Sequence, residues 1–143
     1  MLFRSATNSF TITLTGTNDA PVATFTTAQD ATEGGSSITG QLTSTDVDLL
    51  GTTATYALDG APIAGLTINT DGSWSFDPAD AAYDYLAKDQ TLEITVNYSV
   101  TDNNDASATN SFTITLTGTN DAPVATFTTA QDATEGEIGR AHV

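Results

Sequence analysis

The chain has 143 residues and carries 18 Asp+Glu against 3 Lys+Arg, a net charge of −15, with no Cys, one His, one Met and one Trp. A polyanion of this kind repels a phosphate backbone, so no nucleic acid is expected as a partner. Zero Cys excludes disulfides, thiolate zinc sites and Cys nucleophiles, and no apolar run approaches the ~18 residues that read as a membrane span, so no membrane insertion is expected.

Thr occurs 29 times, and Thr, Val, Ile and aromatic residues favour strands. Val22–Thr27 reads as a first, mixed strand. Ser36–Thr45 alternates, with Ile38, Gly40 and Leu42 on one face and Ser37, Thr39, Gln41 and Thr43 on the other. Thr53–Leu58 puts Tyr56 and Leu58 on one face. Leu66–Asn69 and Ser73–Phe76 form a hairpin around Asn69-Thr70-Asp71-Gly72, with Leu66, Ile68, Trp74 and Phe76 inward. Asp71 and Asp59 read as turn residues. Trp74 reads as core, and Tyr83 and Tyr85 as caps on it. Pro78–Lys88 is the segment suited to a helical turn, crossing between two sheets. Leu92–Val100 and Asn110–Thr117 alternate most cleanly, with Ile94, Val96 and Tyr98 on the inner face of the first and Phe112, Ile114 and Leu116 on that of the second. About seven short strands with one apolar face each predict an all-β fold, an antiparallel Greek-key β-sandwich.

Ser5–Gly34 recurs without change as Ser107–Gly136, an offset of 102 residues. A period that long is a tandem array of whole domains rather than a solenoid unit. The expected division is 5–18 as the last strand of a preceding repeat, 19–120 as a complete repeat and 121–136 as the start of the next. Met1–Ser5 and Glu137–His142 can be encoded by inverted copies of one DNA sequence, similar to a common short-read sequencing adapter. Residues 1–4 and 137–143 are therefore expected to be a non-native leader and tail, set aside like tags. No signal peptide is visible, and nothing about location follows from that. Two identical segments, Asn8–Thr17 and Asn110–Thr119, compete for one place in the sheet. The second is expected to win, because its connection closes a short loop.

Strand connectivity sorts the acids by end. Asn18, Asp19, Asp46, Asp48 and the run Asp102 to Asp105 belong at the end where the repeat begins, and Glu33, Asp80, Asp84, Asn120 and Asp121 at the opposite end. Such rims repel each other across a junction unless a divalent cation bridges them. Calcium takes six to eight oxygens at ~2.3–2.6 Å, a set that carboxylates and amides supply. Solvated acidic loops and Asx turns are the alternative reading of the same residues. Asp46–Gly51 begins like an EF-hand loop, but Leu50 and Ala57 stand where ligands are needed. The RTX nonapeptide and a phosphate-binding loop are absent, and a Ser-His-Asp triad lacks its His once the tail is set aside.

The runs Ile68–Phe76 (INTDGSWSF), Ala82–Leu86 (AYDYL), Val100–Asp102 and Thr113–Val124 (TITLTGTNDAPV) resemble VCBS-type repeats. These are cadherin-like domains of giant secreted adhesins of Gram-negative bacteria, which often also carry RTX repeats. The resemblance implies a cadherin- or immunoglobulin-like sandwich, secreted to the cell surface and not an enzyme. It implies a spacer (extender) module whose partners are neighbouring identical repeats, with Ca2+ stiffening the junctions and an unknown adhesion ligand at the distal end. Cadherins place their ligands as an early Glu, a linker Asn-Asp and an Asp-x-Asp, which fits Glu33, Asn18–Asp19 or Asn120–Asp121, and Asp46–Asp48. One departure is Glu93, the nearest acid to where the family commonly has Asp before the penultimate strand. A carbohydrate-binding module and an accessory domain of a secreted enzyme are the alternative functions.

Overall fold

Alternation of apolar and polar side chains governs the longest strands. In a computed structural model that describes residues 1–48 and 54–127, the strands are β1 (Val22–Ala23), β2 (Gln29–Thr32), β3 (Ile38–Gln41), β4 (Ser44–Thr45), β5 (Thr55–Leu58), β6 (Leu66–Ile68), β7 (Ser73–Phe76), β8 (Thr91–Thr101) and β9 (Ser107–Thr117). One turn of 3-10 helix, Ala81–Tyr83, lies between β7 and β8.

Seven of these strands form two sheets, ordered β2-β9-β8-β5 and β3-β7-β6, while β1 and β4 pair separately. The fold is an all-β Greek-key sandwich, as the periodicity predicts. Every pairing is antiparallel except β2 with β9, which is parallel. The sheets meet through aromatic rings. Trp74 on β7 lies 5.1 Å from Phe112 on β9, centroid to centroid, and Phe25 packs edge-on against Phe112 at 5.1 Å. Val96, Tyr98, Val100, Ile114 and Leu116 are fully buried beneath them. Each such side chain taken out of water stabilises the fold by about 1.5–3 kcal/mol. Gly40 lets β3 lie against the indole: a Cβ there would sit 2.6 Å from Trp74 Cζ2.

The two identical segments have different fates. Phe112, Ile114 and Leu116 are 2%, 0% and 0% exposed, whereas Phe10, Ile12 and Leu14 of the earlier copy are 86%, 77% and 93% exposed. β9 follows β8 after the short loop Asp102–Ala106, so its ends are already close and closure costs little entropy.

Four expectations need correction. The mixed strand over Val22–Thr27 shrinks to β1, because the Phe25 backbone bonds to a side chain instead of a strand. The Tyr98 hydroxyl accepts from Phe25 N at 3.0 Å and donates to Phe25 O at 2.9 Å. β2 (Gln-Asp-Ala-Thr) is a strand that the sequence reading omits, since Asp30 and Ala31 disfavour strands and the segment has no apolar alternation; pairing with Ile114–Thr117 imposes the conformation. Ser36–Thr45 is two strands, not one. The chain leaves the three-stranded sheet after Gln41 and pairs with β1 at Ser44–Thr45, while Leu42 N bonds to Gly72 O at 2.8 Å. Tyr85 is exposed rather than a core cap, whereas Tyr83 is buried and donates to Ala64 O at 2.8 Å. Thr53, the expected start of the third strand, lies outside the described residues.

The β6–β7 hairpin turns as expected. Gly72 adopts φ 83°, which glycine reaches without steric cost, and Gly72 N donates to Asn69 O at 2.9 Å. The Asp71 carboxylate accepts from the Ser73 hydroxyl at 2.6 Å and from Ser73 N at 2.9 Å. These bonds, the hydroxyl first, hold Asp71 below the ordinary aspartate range. A depressed folded-state value contributes stability above the unfolded pKa of about 3.9 and loses it as pH falls through the folded value.

Two outcomes are expected. Ser73→Ala should move the Asp71 titration up toward the ordinary range, read by carboxyl NMR, and narrow the acid window of hairpin stability. Tyr98→Phe leaves two Phe25 backbone groups without their partner; it should cost about 1–3 kcal/mol, read as a lower denaturant midpoint with unchanged slope.

Candidate functional site

The β8–β9 turn organises one end of the sandwich. Asp102 closes β8 and is 5% exposed. Its Oδ1 accepts from Asn104 N at 2.8 Å and Ala106 N at 2.9 Å, while Asp105 turns the chain at φ 66°. Short polar side chains such as Asp tolerate that left-handed conformation. The second carboxylate oxygen, Oδ2, accepts from Asn18 Nδ2 at 2.8 Å. Asn104 Nδ2 in turn donates to Asn18 Oδ1 at 2.6 Å. The Asn18 amide, and after it the Asn104 and Ala106 N–H groups, hold the Asp102 carboxyl below the ordinary range against the opposing effect of desolvation.

Asp-Val-Asp reaches the same rim from the other side. Asp48 N donates to Asp46 Oδ1 at 2.9 Å, an Asx turn favoured by the Asp-x-Asp spacing. Asp48 Oδ2 accepts from Asp19 N at 2.8 Å. Asp46 Oδ2 is buried with no hydrogen-bond partner among the described residues. A small cleft beside it is lined by Pro21, Ser44, Asp46, Ala54 and Asp102. The structure therefore brings together Asn18, Asp19, Asp46, Asp48 and Asp102, from three stretches of chain. Asn104 is the member that sequence reasoning did not single out. The Asp-Asn-Asn-Asp run marks its loop as polar but does not say which amide turns toward the linker.

Glu33 lies at the far end, 5% exposed. Its backbone N donates to Thr117 O at 2.9 Å, and its Oε2 accepts from Thr119 N at 2.7 Å. The carboxylate thus sits where the chain leaves β9 toward Asn120 and Asp121, both exposed. Asn120 Nδ2 donates to Asp121 O at 3.3 Å. Asp80 accepts from Ala82 N at 2.9 Å and caps the 3-10 turn, so its carboxylate has a local structural task. Asp84 ends that turn and is exposed.

Among the described residues, no group of three or more His, Cys, Asp or Glu side chains converges to hold a metal ion. The acids of the Asp102 end share a rim and a hydrogen-bond network without converging on one point, and Glu33 is kept apart from them by β9. Its 11 residues span roughly 36 Å at ~3.3 Å per residue, and they separate Glu33 from Asp102.

The chain is thus a two-sheet all-β sandwich with carboxylates bonded to the backbone or linker at both ends. The chain belongs to the bacterial cadherin-like domain family, whose model matches residues 18–118. No curated protein matches it. Among solved structures it is similar to a chimeric titin Z1Z2 functionalized with a KLER exogenous peptide from decorin. That likeness has 17% identity over 72% of this chain and 99% of the other, with a TM-score of 0.41. Domains of the bacterial cadherin-like family are generally non-catalytic and typically extracellular. No helix among the described residues is long and apolar enough to cross a membrane.

Asn18→Ala removes the amide that ties the linker to Asp102. Backbone order parameters at residues 18 and 19 should fall below ~0.6 while those of β8 and β9 stay near ~0.85, and the Asp102 carboxyl should titrate closer to its ordinary range. Unchanged order at Asp19 would show that the Asp48 contact alone holds the linker.

Proposed function

We propose that this domain is a calcium-stiffened spacer repeat of a bacterial surface adhesin of the VCBS type, projecting a distal binding region from the cell. The observation that carries the reading is the buried Asp46 Oδ2, which has no hydrogen-bond partner among the described residues, next to Asp102 and the Asp48-bound linker. An unpaired carboxylate oxygen is costly to bury unless a cation or another donor meets it. Carboxylate and amide oxygens are the donor set that hard divalent cations take.

The repeat supplies the rest. Asn120–Asp121 repeats Asn18–Asp19 at the 102-residue offset. In a tandem array one Asn-Asp linker therefore adjoins Glu33 of the preceding domain and Asp46, Asp48 and Asp102 of the following one. Calcium, when bound, supplies positive charge between these rims. The residues hold the linker in place by hydrogen bonds, so that binding has less disorder to overcome. Domains of roughly 36 Å joined in this way make a rod, and neighbouring identical repeats are its partners. Secretion to the cell surface and the absence of catalysis belong to the same reading. Tyr56, Trp74, Tyr83 and Tyr98 are buried and Tyr85 stands exposed without another exposed Tyr or Trp beside it to form a platform, which disfavours a carbohydrate-binding module.

The test is thermal unfolding of a tandem pair of 19–120 repeats in calcium and in chelator. At calcium a hundredfold above Kd, binding to the folded state adds about 2.7 kcal/mol, so the midpoint should rise, and Asp46→Ala/Asp48→Ala should abolish the rise. No rise, or an equal rise in the variant, would reject the reading.

A further inference from the structure

We infer that β2, β9 and the Glu33 carboxylate form a load-bearing clamp, so that this domain resists tension along its strands more strongly than tension that opens the sheet from one end. The clamp rests on the spacer reading only for the load, which arrives through the two ends of the domain, and it needs no calcium.

Chain direction sets how that load acts. β9 runs from the Asp102 end to the Glu33 end, and β2 is its parallel neighbour. The chain enters at the Asp102 end, where Asn18 Nδ2 donates to Asp102 Oδ2 at 2.8 Å. It leaves past Thr119, beside Glu33. Tension between the two ends therefore draws β2 toward the Asp102 end and β9 toward the Glu33 end. Ladder bonds run across the strands, so sliding one strand past the other loads all of them together. A pair pulled apart from one end loses them one at a time.

The two sides of β9 are unequal. β9 pairs with β8 over eleven positions, Thr91 with Thr117 through Thr101 with Ser107, but with β2 over four, Gln29 with Ile114 through Thr32 with Thr117. Sliding thus begins on the β2 side. Upstream, β1 holds β4 over two positions, so once β1 lets go the load falls on β2. Glu33 lengthens this shorter ladder. Its backbone N donates to Thr117 O at 2.9 Å, and its Oε2 accepts from Thr119 N at 2.7 Å, beyond the end of β9. A bond to a charged acceptor is about twice as strong as a neutral one, and Glu33 is buried, which shields the bond from water. Gly34 N then donates to Pro78 O at 3.1 Å and ties the same segment to the chain that follows β7 in the other sheet.

The experiment holds the full chain, in chelator, at constant force between two handles. The chain has no cysteine, so handles attach only where one is introduced. Ala20→Cys/Ala122→Cys pulls on opposite ends of the domain. Ala20→Cys/Asn103→Cys pulls on two exposed residues of the Asp102 end and opens β2 from β9 at Gln29 first. At equal force the opposite-end pull should unfold the domain at least about tenfold more slowly, a barrier difference of about 1.4 kcal/mol. Glu33→Ala should speed the opposite-end unfolding about tenfold, the loss of one bond to a charged group. It should speed the same-end unfolding less, because there Glu33 is reached last. Glu33→Gln keeps an acceptor for Thr119 N and should lie between Glu33→Ala and the parent; it carries the same comparison if Glu33→Ala does not fold. Equal rates in the two directions, with Glu33 intact, overturn the clamp. An equal effect of the Glu33 variant in both directions overturns the part assigned to Glu33, since a merely structural loss acts whatever the direction of pull. Failure of the calcium-dependent rise in midpoint leaves both results unchanged, so the two readings fail separately.

Discussion

The β8–β9 hairpin is the constraint on which the rest depends. Its eleven paired positions, Thr91 with Thr117 through Thr101 with Ser107, fix the length of the sandwich. They also fix which acids share an end. Asp102 sits at the hairpin tip, and Glu33 is bonded to the residues just beyond the other end of β9. Because side chains alternate along both strands, the same ladder points Val96, Tyr98, Val100, Phe112, Ile114 and Leu116 into the core. Core formation and rim placement are thus one event. The register that buries the apolar face also sets the anionic ends apart.

The rims show how a chain with so few bases manages its carboxylates. Asp102 and Glu33 are both buried; Asp102 accepts from the Asn18 amide and two backbone N–H groups, and Glu33 from the backbone N–H of Thr119. Hydrogen bonds to the charged form favour it, which is why Asp102 stays ionised despite its desolvation. Lys88 pairs with the adjacent Asp89 at 2.6 Å, but both are largely exposed, so that pair contributes little to stability. Neutral donors, the Asn18 amide first and backbone N–H groups after it, thus stabilise the buried carboxylates.

Exact repetition adds a second layer. A sequence written twice in one chain gives one sheet position two candidates, and the sequence of the strand itself cannot choose between them. Loop length chooses. Strand polarity carries the chain in at the Asp102 end and out at the Glu33 end, the arrangement that a linear array of domains requires.

Much of the fold was legible in the sequence, because a half-buried strand must alternate. β8, β9, the β6–β7 hairpin and the inward place of Trp74 follow from that period and from the Asn-Thr-Asp-Gly turn. The grouping of Asn18 and Asp19 with Asp46, Asp48 and Asp102 followed from connectivity, since an up-and-down walk fixes the end at which each loop lies. Other features were settled by contacts between distant segments. Gln29–Thr32 has no strand pattern of its own and becomes one by lying parallel to β9. Ser36–Thr45 alternates throughout yet divides between two partners. Phe25 is withdrawn from a strand by the Tyr98 hydroxyl, and Asn104 turns toward Asn18. Local patterning specifies which face of a segment is buried, but the hydrogen-bond partner of an edge or a loop is chosen only when a remote donor or acceptor arrives, and only the tertiary structure brings it there.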